Sequence, residues 1–151
     1  MAIEDIRNFV AVSDALGTGG QPTEEQLHQI AHAGYAVVIN LGLLDPRYCL
    51  PDEASLAQSL ELEYHHIPVD FQAPTSQNLS RFSEVMDASA GKKVFVHCAA
   101  NYRVSSFVAL YGQSKFGWTP EQADAHIKRI WEPNEVWSRF IATARQESQS
   151  Q

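Results

Sequence analysis

Cys98 stands between an apolar run, Val94-Phe95-Val96-His97, and a short segment, Ala99-Ala100-Asn101-Tyr102, that leads into Arg103, Val104, Ser105 and Ser106. A cysteine reacts as its thiolate, and a thiolate is stabilised where a helix begins, by unpaired backbone N–H groups and the positive end of the macrodipole. The same N–H groups cradle an anion, and an arginine beside them can grip a tetrahedral oxyanion through paired N–H bonds. Nucleophile, cradle and clamp therefore lie within about one turn of sequence. The chemistry this predicts is attack by Cys98 on a tetrahedral anion held by the Ala99–Val104 backbone and by Arg103. A cysteine that merely fills a core needs neither the preceding His97 nor the following arginine and serines.

These residues require a strand to deliver His97 and Cys98 and a helix to begin at about Arg103. Lys93 to His97 reads as that strand, and the helix runs to Gly117. Upstream, Phe9–Val12 and the segment near Leu16–Thr18 read as a strand pair. Thr23-Glu24-Glu25-Gln26 is a capping box opening a helix with Leu27, Ile30 and Ala31 on its buried stripe, stopped at Gly34. Tyr35–Leu41 is a continuous apolar run of the kind found inside parallel sheets. A loop with Asp45 and Leu50-Pro51-Asp52 precedes a helix ending near Leu60, and Tyr64–Val69 reads as a further core strand. After a loop at 70–75, a helix spans Ser76 to Ala88. Thr119-Pro120-Glu121-Gln122 starts another, and the last begins after Pro133-Asn134 and runs to about Arg145. Strands alternating with helices predict a three-layer α/β fold, with a central, mostly parallel sheet flanked by helices. One domain over residues 1–146 and a polar tail over 147–151 are expected.

Composition narrows the partners. The chain has 151 residues, 44% hydrophobic and 19% charged, with a net charge of −7, so neither nucleic acid nor an anionic membrane is expected. Two cysteines make no disulfide framework and point to a reducing compartment. The acidic N-terminal stretch is unlike a signal peptide, and no apolar run reaches membrane-spanning length, so the expected address is cytoplasmic.

Gly20-Gln21-Pro22-Thr23, Val38-Ile39-Asn40-Leu41, Ile67-Pro68-Val69-Asp70 and Val96-His97-Cys98 with the following Arg and Ser form an ordered set. In this set the chain resembles the small bacterial dual-specificity-phosphatase-like branch of the protein tyrosine phosphatase superfamily, from about Phe9 to Ile141. Some relatives in that branch are labelled sulfur transferases. The resemblance implies a cysteine-phosphatase II-like fold, a phosphorylated protein or small molecule as substrate, and no metal or other cofactor. The superfamily loop has five residues between Cys and Arg, with Gly at the third. Here Arg103 arrives one residue early, giving C-x4-R. Without gaps, Asn101 takes the glycine position, Val104 the arginine position and Ser105 the hydroxyl position. Asn tolerates a left-handed backbone better than other non-glycine residues, whereas moving a helical side chain by one position turns it by about 100°.

By resemblance Cys98 forms a phosphocysteine, Arg103 stabilises the transferring group, Ser105 steadies the leaving thiolate, and His97 orients the loop. The phosphate-binding loop is then His97, Cys98, Ala99, Ala100, Asn101, Tyr102, Arg103 and Val104. Asp70 is the first choice for the general acid, with Asp45 and Glu132 as fallbacks; a turn-capping role for Asp70 is the alternative. Single-domain rhodaneses share the C-x4-R spacing, so a sulfurtransferase carrying a Cys98 persulfide stands as a second reading, and a catalytically weak phosphate-binding module as a third. His28 and His32 share a helix face opposite the apolar stripe and read as solvated. His65 and His66 alternate across a strand, and no spacing rule pairs Cys49 with Cys98. Trp118, Trp131 and Trp137 read as packing anchors.

Overall fold

A parallel sheet is stable only when covered on both faces, and three strands buried along their whole length organise this chain. A computed structural model describes residues 2–149. Its strands are β1 (Val10–Ser13), β2 (Leu16–Gly19), β3 (Val37–Asn40), β4 (Glu63–His66) and β5 (Val94–His97), in the order β1-β2-β5-β3-β4. β2, β5, β3 and β4 are parallel neighbours, and β1 pairs antiparallel with β2, with a register shift between Ala11 and Ser13. The helices are α1 (Glu24–His32), α2 (Glu53–Ser59), α3 (Ser76–Ala88), α4 (Tyr102–Lys115), α5 (Pro120–Lys128) and α6 (Glu135–Gln149).

The period of two along a strand divides the core. Val37 and Ile39 of β3, with Val94 and Val96 of β5, join Phe82, Val104, Phe107, Val108 and Trp137 from α3, α4 and α6. Val38 and Phe95, between them in sequence, face the other way, onto Leu27 and Ile30 of α1 and Ala57 of α2. Each large apolar side chain among them, buried fully, contributes roughly 1.5–3 kcal/mol. This is the expected three-layer sheet, mixed because β1 is antiparallel.

Local signals place the helix starts. Thr23 and Thr119 cap reciprocally with Gln26 and Gln122, and Thr75 does the same with Asn78. Gly34 and Gly117 follow helices at φ +94° and +75°, where a side chain would be strained. The sequence reading differs from the structure in two places. The strand expected in the core from Tyr64 is β4, a sheet edge with no fully buried residue. The last helix passes Arg145 and continues to Gln149, so residues 147–149 of the expected tail are helical; residues 150 and 151 lie outside the described residues. Among the described residues, no helix is long and apolar enough to cross a membrane.

Candidate active site

β5 lies at the centre of the sheet, and its carboxyl end opens into the Cys98 loop, the place where open parallel sheets take ligands. His97 is fully buried and Cys98 is 1% exposed. The Cys98 N–H reaches the Gly19 carbonyl at 3.4 Å, and the Gln21 N–H donates to the Ala99 carbonyl at 3.1 Å. Asn101 caps α4 in the left-handed conformation, φ 69° and ψ 5°, with no side-chain bond to the helix. The helix ladder starts with the Ser105 N–H on the Asn101 carbonyl. Tyr102, Arg103 and Val104, the first helical residues, therefore keep N–H groups free of intrahelical acceptors.

Arg103 is 5% exposed and makes no ion pair among the described residues. Its Nη1 donates to the Val69 carbonyl at 2.9 Å and its Nη2 to the Tyr48 hydroxyl at 3.4 Å. The guanidinium lies 5.9 Å from the ring centres of both Tyr48 and Phe71. Tyr48 is itself held, accepting the Leu43 N–H at 2.8 Å. A buried cation with neutral partners is costly to desolvate, and an arginine cannot shed the cost by losing its proton. The first turn of α4 thus carries both a buried positive charge and free N–H groups, a combination suited to an anion.

The Arg103 bond to Val69 joins the loop to the segment carrying Asp70. Phe71, on the other side of Asp70, packs against Tyr102, Trp131 and Trp137, and its carbonyl accepts the Trp137 indole N–H at 2.8 Å. Both neighbours of Asp70 are therefore tied to the site. The Asp70 carboxylate is exposed and accepts the Gln72 N–H at 2.9 Å, a turn-capping contact. Ser105 donates to the Tyr102 carbonyl at 2.8 Å and accepts the Trp131 indole N–H at 3.1 Å; Trp131 stacks on Tyr102 at 4.6 Å. Asp45 is bound by the Arg47 guanidinium, whose hydrogen bonds hold its carboxyl down at about 2. That makes Asp45 a poor proton donor at neutral pH. Glu132 is exposed.

The opposite side of Cys98 carries a residue that sequence reasoning missed. Glu53, in the first turn of α2, meets His97 Nε2 at 2.6 Å, and both side chains are buried. Glu53 also accepts from Gln21 Nε2 at 2.7 Å and from the Tyr64 hydroxyl. Burial pushes the Glu53 carboxyl up, but the His97 charge and these donors outweigh it, and the group sits below the usual carboxylate range. Burial and the nearby Glu53 raise Tyr64, keeping its phenol neutral as a donor. The sequence signals for this network were His97, beside the nucleophile, and Gln21, inside the Gly-Gln-Pro-Thr landmark.

His28 and His32 are exposed, and His66 Nε2 meets the Gly42 carbonyl at 2.7 Å. Cys49 and Cys98 are both free thiols. Trp137 is fully buried, and Trp118 and Trp131 are half-buried in the helical layer. Among the described residues, no group of three or more His, Cys, Asp or Glu side chains could hold a metal ion.

A family model described as DSP-PTPase phosphatase fused to NAD+ kinase matches residues 4–144. A crystal structure of a candidate phosphatase (DUF442) from Shewanella putrefaciens CN-32 is 30% identical, with a TM-score of 0.86, covering 96% of this chain and 95% of that one. Tk-PTP, in its active form, superposes with a TM-score of 0.75 at 20% identity, over 93% of this chain and 95% of its own. PTPMT1 in complex with PI(5)P gives 0.78 at 18% identity, over 94% and 97%; at such identities the likeness concerns the fold. No curated protein sequence matches the chain.

Proposed function

The chain belongs to the family of DSP-PTPase phosphatases fused to NAD+ kinase, and on that premise we propose that it is a cysteine-dependent phosphomonoester hydrolase. The observation that carries this reading is Arg103, a buried guanidinium with only neutral partners, borne on the first turn of α4, whose N–H groups lack intrahelical acceptors. A transferring phosphoryl group bears its negative charge on three equatorial oxygens, and donors already oriented toward that charge are the main catalytic resource in such reactions.

In the first step the Cys98 thiolate attacks phosphorus, the bond to the leaving oxygen breaks, and that oxygen takes a proton from Asp70. Water then attacks the phosphocysteine, its proton passes to Asp70, and the S–P bond breaks to return the thiolate and release inorganic phosphate. For this role the Asp70 side chain has to leave the Gln72 turn by a change of rotamer. The His97–Glu53 pair holds the strand end from which Cys98 projects. Ser105, bonded to Tyr102 and Trp131, secures the first turn of α4.

Aryl phosphates are the simplest substrates, since their leaving groups are readily expelled. The family's fusion to NAD+ kinase makes the 2′-phosphate of NADP+ the first cellular phosphomonoester to try. PTPMT1 holds a phosphoinositide, PI(5)P, and this adds phosphorylated small molecules to phosphoproteins as candidates.

The test is intact mass of protein quenched seconds after mixing with 4-nitrophenyl phosphate, with released nitrophenol read in the same tube. A phospho adduct or turnover that Cys98→Ser abolishes supports the proposal. A persulfide formed from thiosulfate, with no hydrolysis, would replace it with sulfur transfer. Phosphate raising the melting temperature without turnover would reduce it to binding.

A further inference from the structure

Asn8 and Asn101 both adopt the left-handed conformation, at φ 53° and 69°, and they meet although 93 residues separate them. Asn8 Nδ2 donates to the Ala100 carbonyl at 2.8 Å. Asn101 Nδ2 returns a bond to the Asn8 carbonyl at 2.8 Å and a second to Thr18 Oγ1 at 3.2 Å. Thr18 is fixed in turn by donating to the Val10 carbonyl at 2.8 Å.

Two further bonds reinforce the contact. The Gly20 N–H donates to the Arg7 carbonyl at 2.7 Å, and the Gln21 N–H to the Ala99 carbonyl at 3.1 Å. The approach is close enough that a Cβ on Gly20 would lie 2.6 Å from the Ala99 oxygen. Ala99 and Ala100 thus both turn their carbonyls toward the N-terminal segment and β2. Across a planar trans peptide, a carbonyl and the next N–H point in opposite directions, so the bond to Ala99 aims the Ala100 N–H away from β2. Ile6, 2% exposed, anchors the segment that supplies Asn8. The arrangement persists although Asn101 Oδ1 is buried without a partner, a loss that the two donor bonds have to offset.

We propose that Asn8 is a positioning residue of the anion loop: the side chains of Asn8 and Asn101 form a reciprocal clasp that holds the Ala99–Asn101 backbone in its cradle conformation. Asn8 lies before the first phosphatase-like landmark. The clasp's catalytic consequence rests on the phosphatase function proposed above; its effect on the loop does not.

Two substitutions isolate it. Asn8→Asp keeps the size and tolerance of a left-handed backbone but removes the donor. Asn101→Gly keeps the backbone conformation and removes the other amide. Each is expected to speed iodoacetamide alkylation of Cys98, followed on its own peptide by mass spectrometry, about three- to tenfold. The double variant should go no faster than the faster single one, because either change alone opens the clasp. With 4-nitrophenyl phosphate, kcat/KM of Asn8→Asp should fall by a similar factor. Wild-type alkylation in Asn8→Asp overturns the proposal, even with a lower melting temperature, since Asn8 would then only anchor the N-terminal segment. Additive effects in the double variant overturn it as well. Faster alkylation in a protein whose wild type hydrolyses no aryl phosphate supports the clasp and removes the phosphatase function instead.

Discussion

Two buried nitrogen-bearing side chains flank Cys98, and they are treated in opposite ways. His97 has a carboxylate at 2.6 Å, itself held by Gln21 and Tyr64. Arg103 has a carbonyl, a hydroxyl and two aromatic rings and, among the described residues, no carboxylate. A buried charge with a complete set of partners fixes a structure. A buried charge without a counter-ion is unfavourable until an anion arrives, and so it suits binding. On the function proposed above, the contrast separates the residue that shapes the loop from the one that meets the ligand.

The sharpest way to break this comparison is Arg103→Met, which removes the unpaired charge while keeping an apolar stem of similar reach. Turnover of an aryl phosphate should fall about 10³-fold or more, with a melting temperature in phosphate-free buffer that is equal or higher. A marked loss of stability would make Arg103 structural, like His97. Asp70→Asn comes next. It should slow an alkyl phosphate by about 10²-fold and an aryl phosphate much less; equal slowing of both would remove Asp70 as the acid.

Glu53→Gln should act mainly on stability. It removes the buried carboxylate that His97, Gln21 and Tyr64 share, at a cost of roughly 3 kcal/mol, read as a lower urea midpoint, while turnover per folded molecule changes far less than in Arg103→Met. The Glu53 carboxyl is depressed in the fold, so its stabilisation is present above the ordinary carboxylate pKa and is lost as pH falls through the lower folded value. Stability of the variant should lack that acid-side loss.

His126 gives the smallest effect and a different pH window. It is buried, its Nε2 has no partner, and burial followed by the Arg129 charge pulls it down to about 4. Unlike Arg103, it escapes its unpaired position by staying neutral. The unfolded chain takes up this proton first, so stability should fall as pH drops from about 6.5 toward 4, and then level off. Melting temperatures across that range should be flatter for His126→Leu.

Much of the scaffold was legible because its signals are local. The capping threonines, the glycines after α1 and α4 and the apolar runs of β3 and β5 each act over a few residues. The candidate cluster of His97, Cys98 and Arg103 could be read for the same reason, since the three are close in sequence. Glu53 was not, because its partner is 44 residues away and an acid in a first helical turn ordinarily faces water. Tyr48 and the Val69 carbonyl were equally hidden: one lies in a loop without periodicity, and the other is a backbone atom that no residue type announces. The end of α6 was missed because Gln146–Gln149 carries no apolar stripe, although the backbone ladder continues. β4 looked central from its composition, yet topology sets it at the rim.

That rim has its own consequence. At β4, Glu63 meets His65 at 2.6 Å and Lys92 at 3.1 Å, while the opposite strand, β1, is four residues long and breaks register after Ala11. An open sheet edge is a template on which another chain can add a strand. One margin here carries charge and the other an irregular register, two features that discourage a further strand from pairing there.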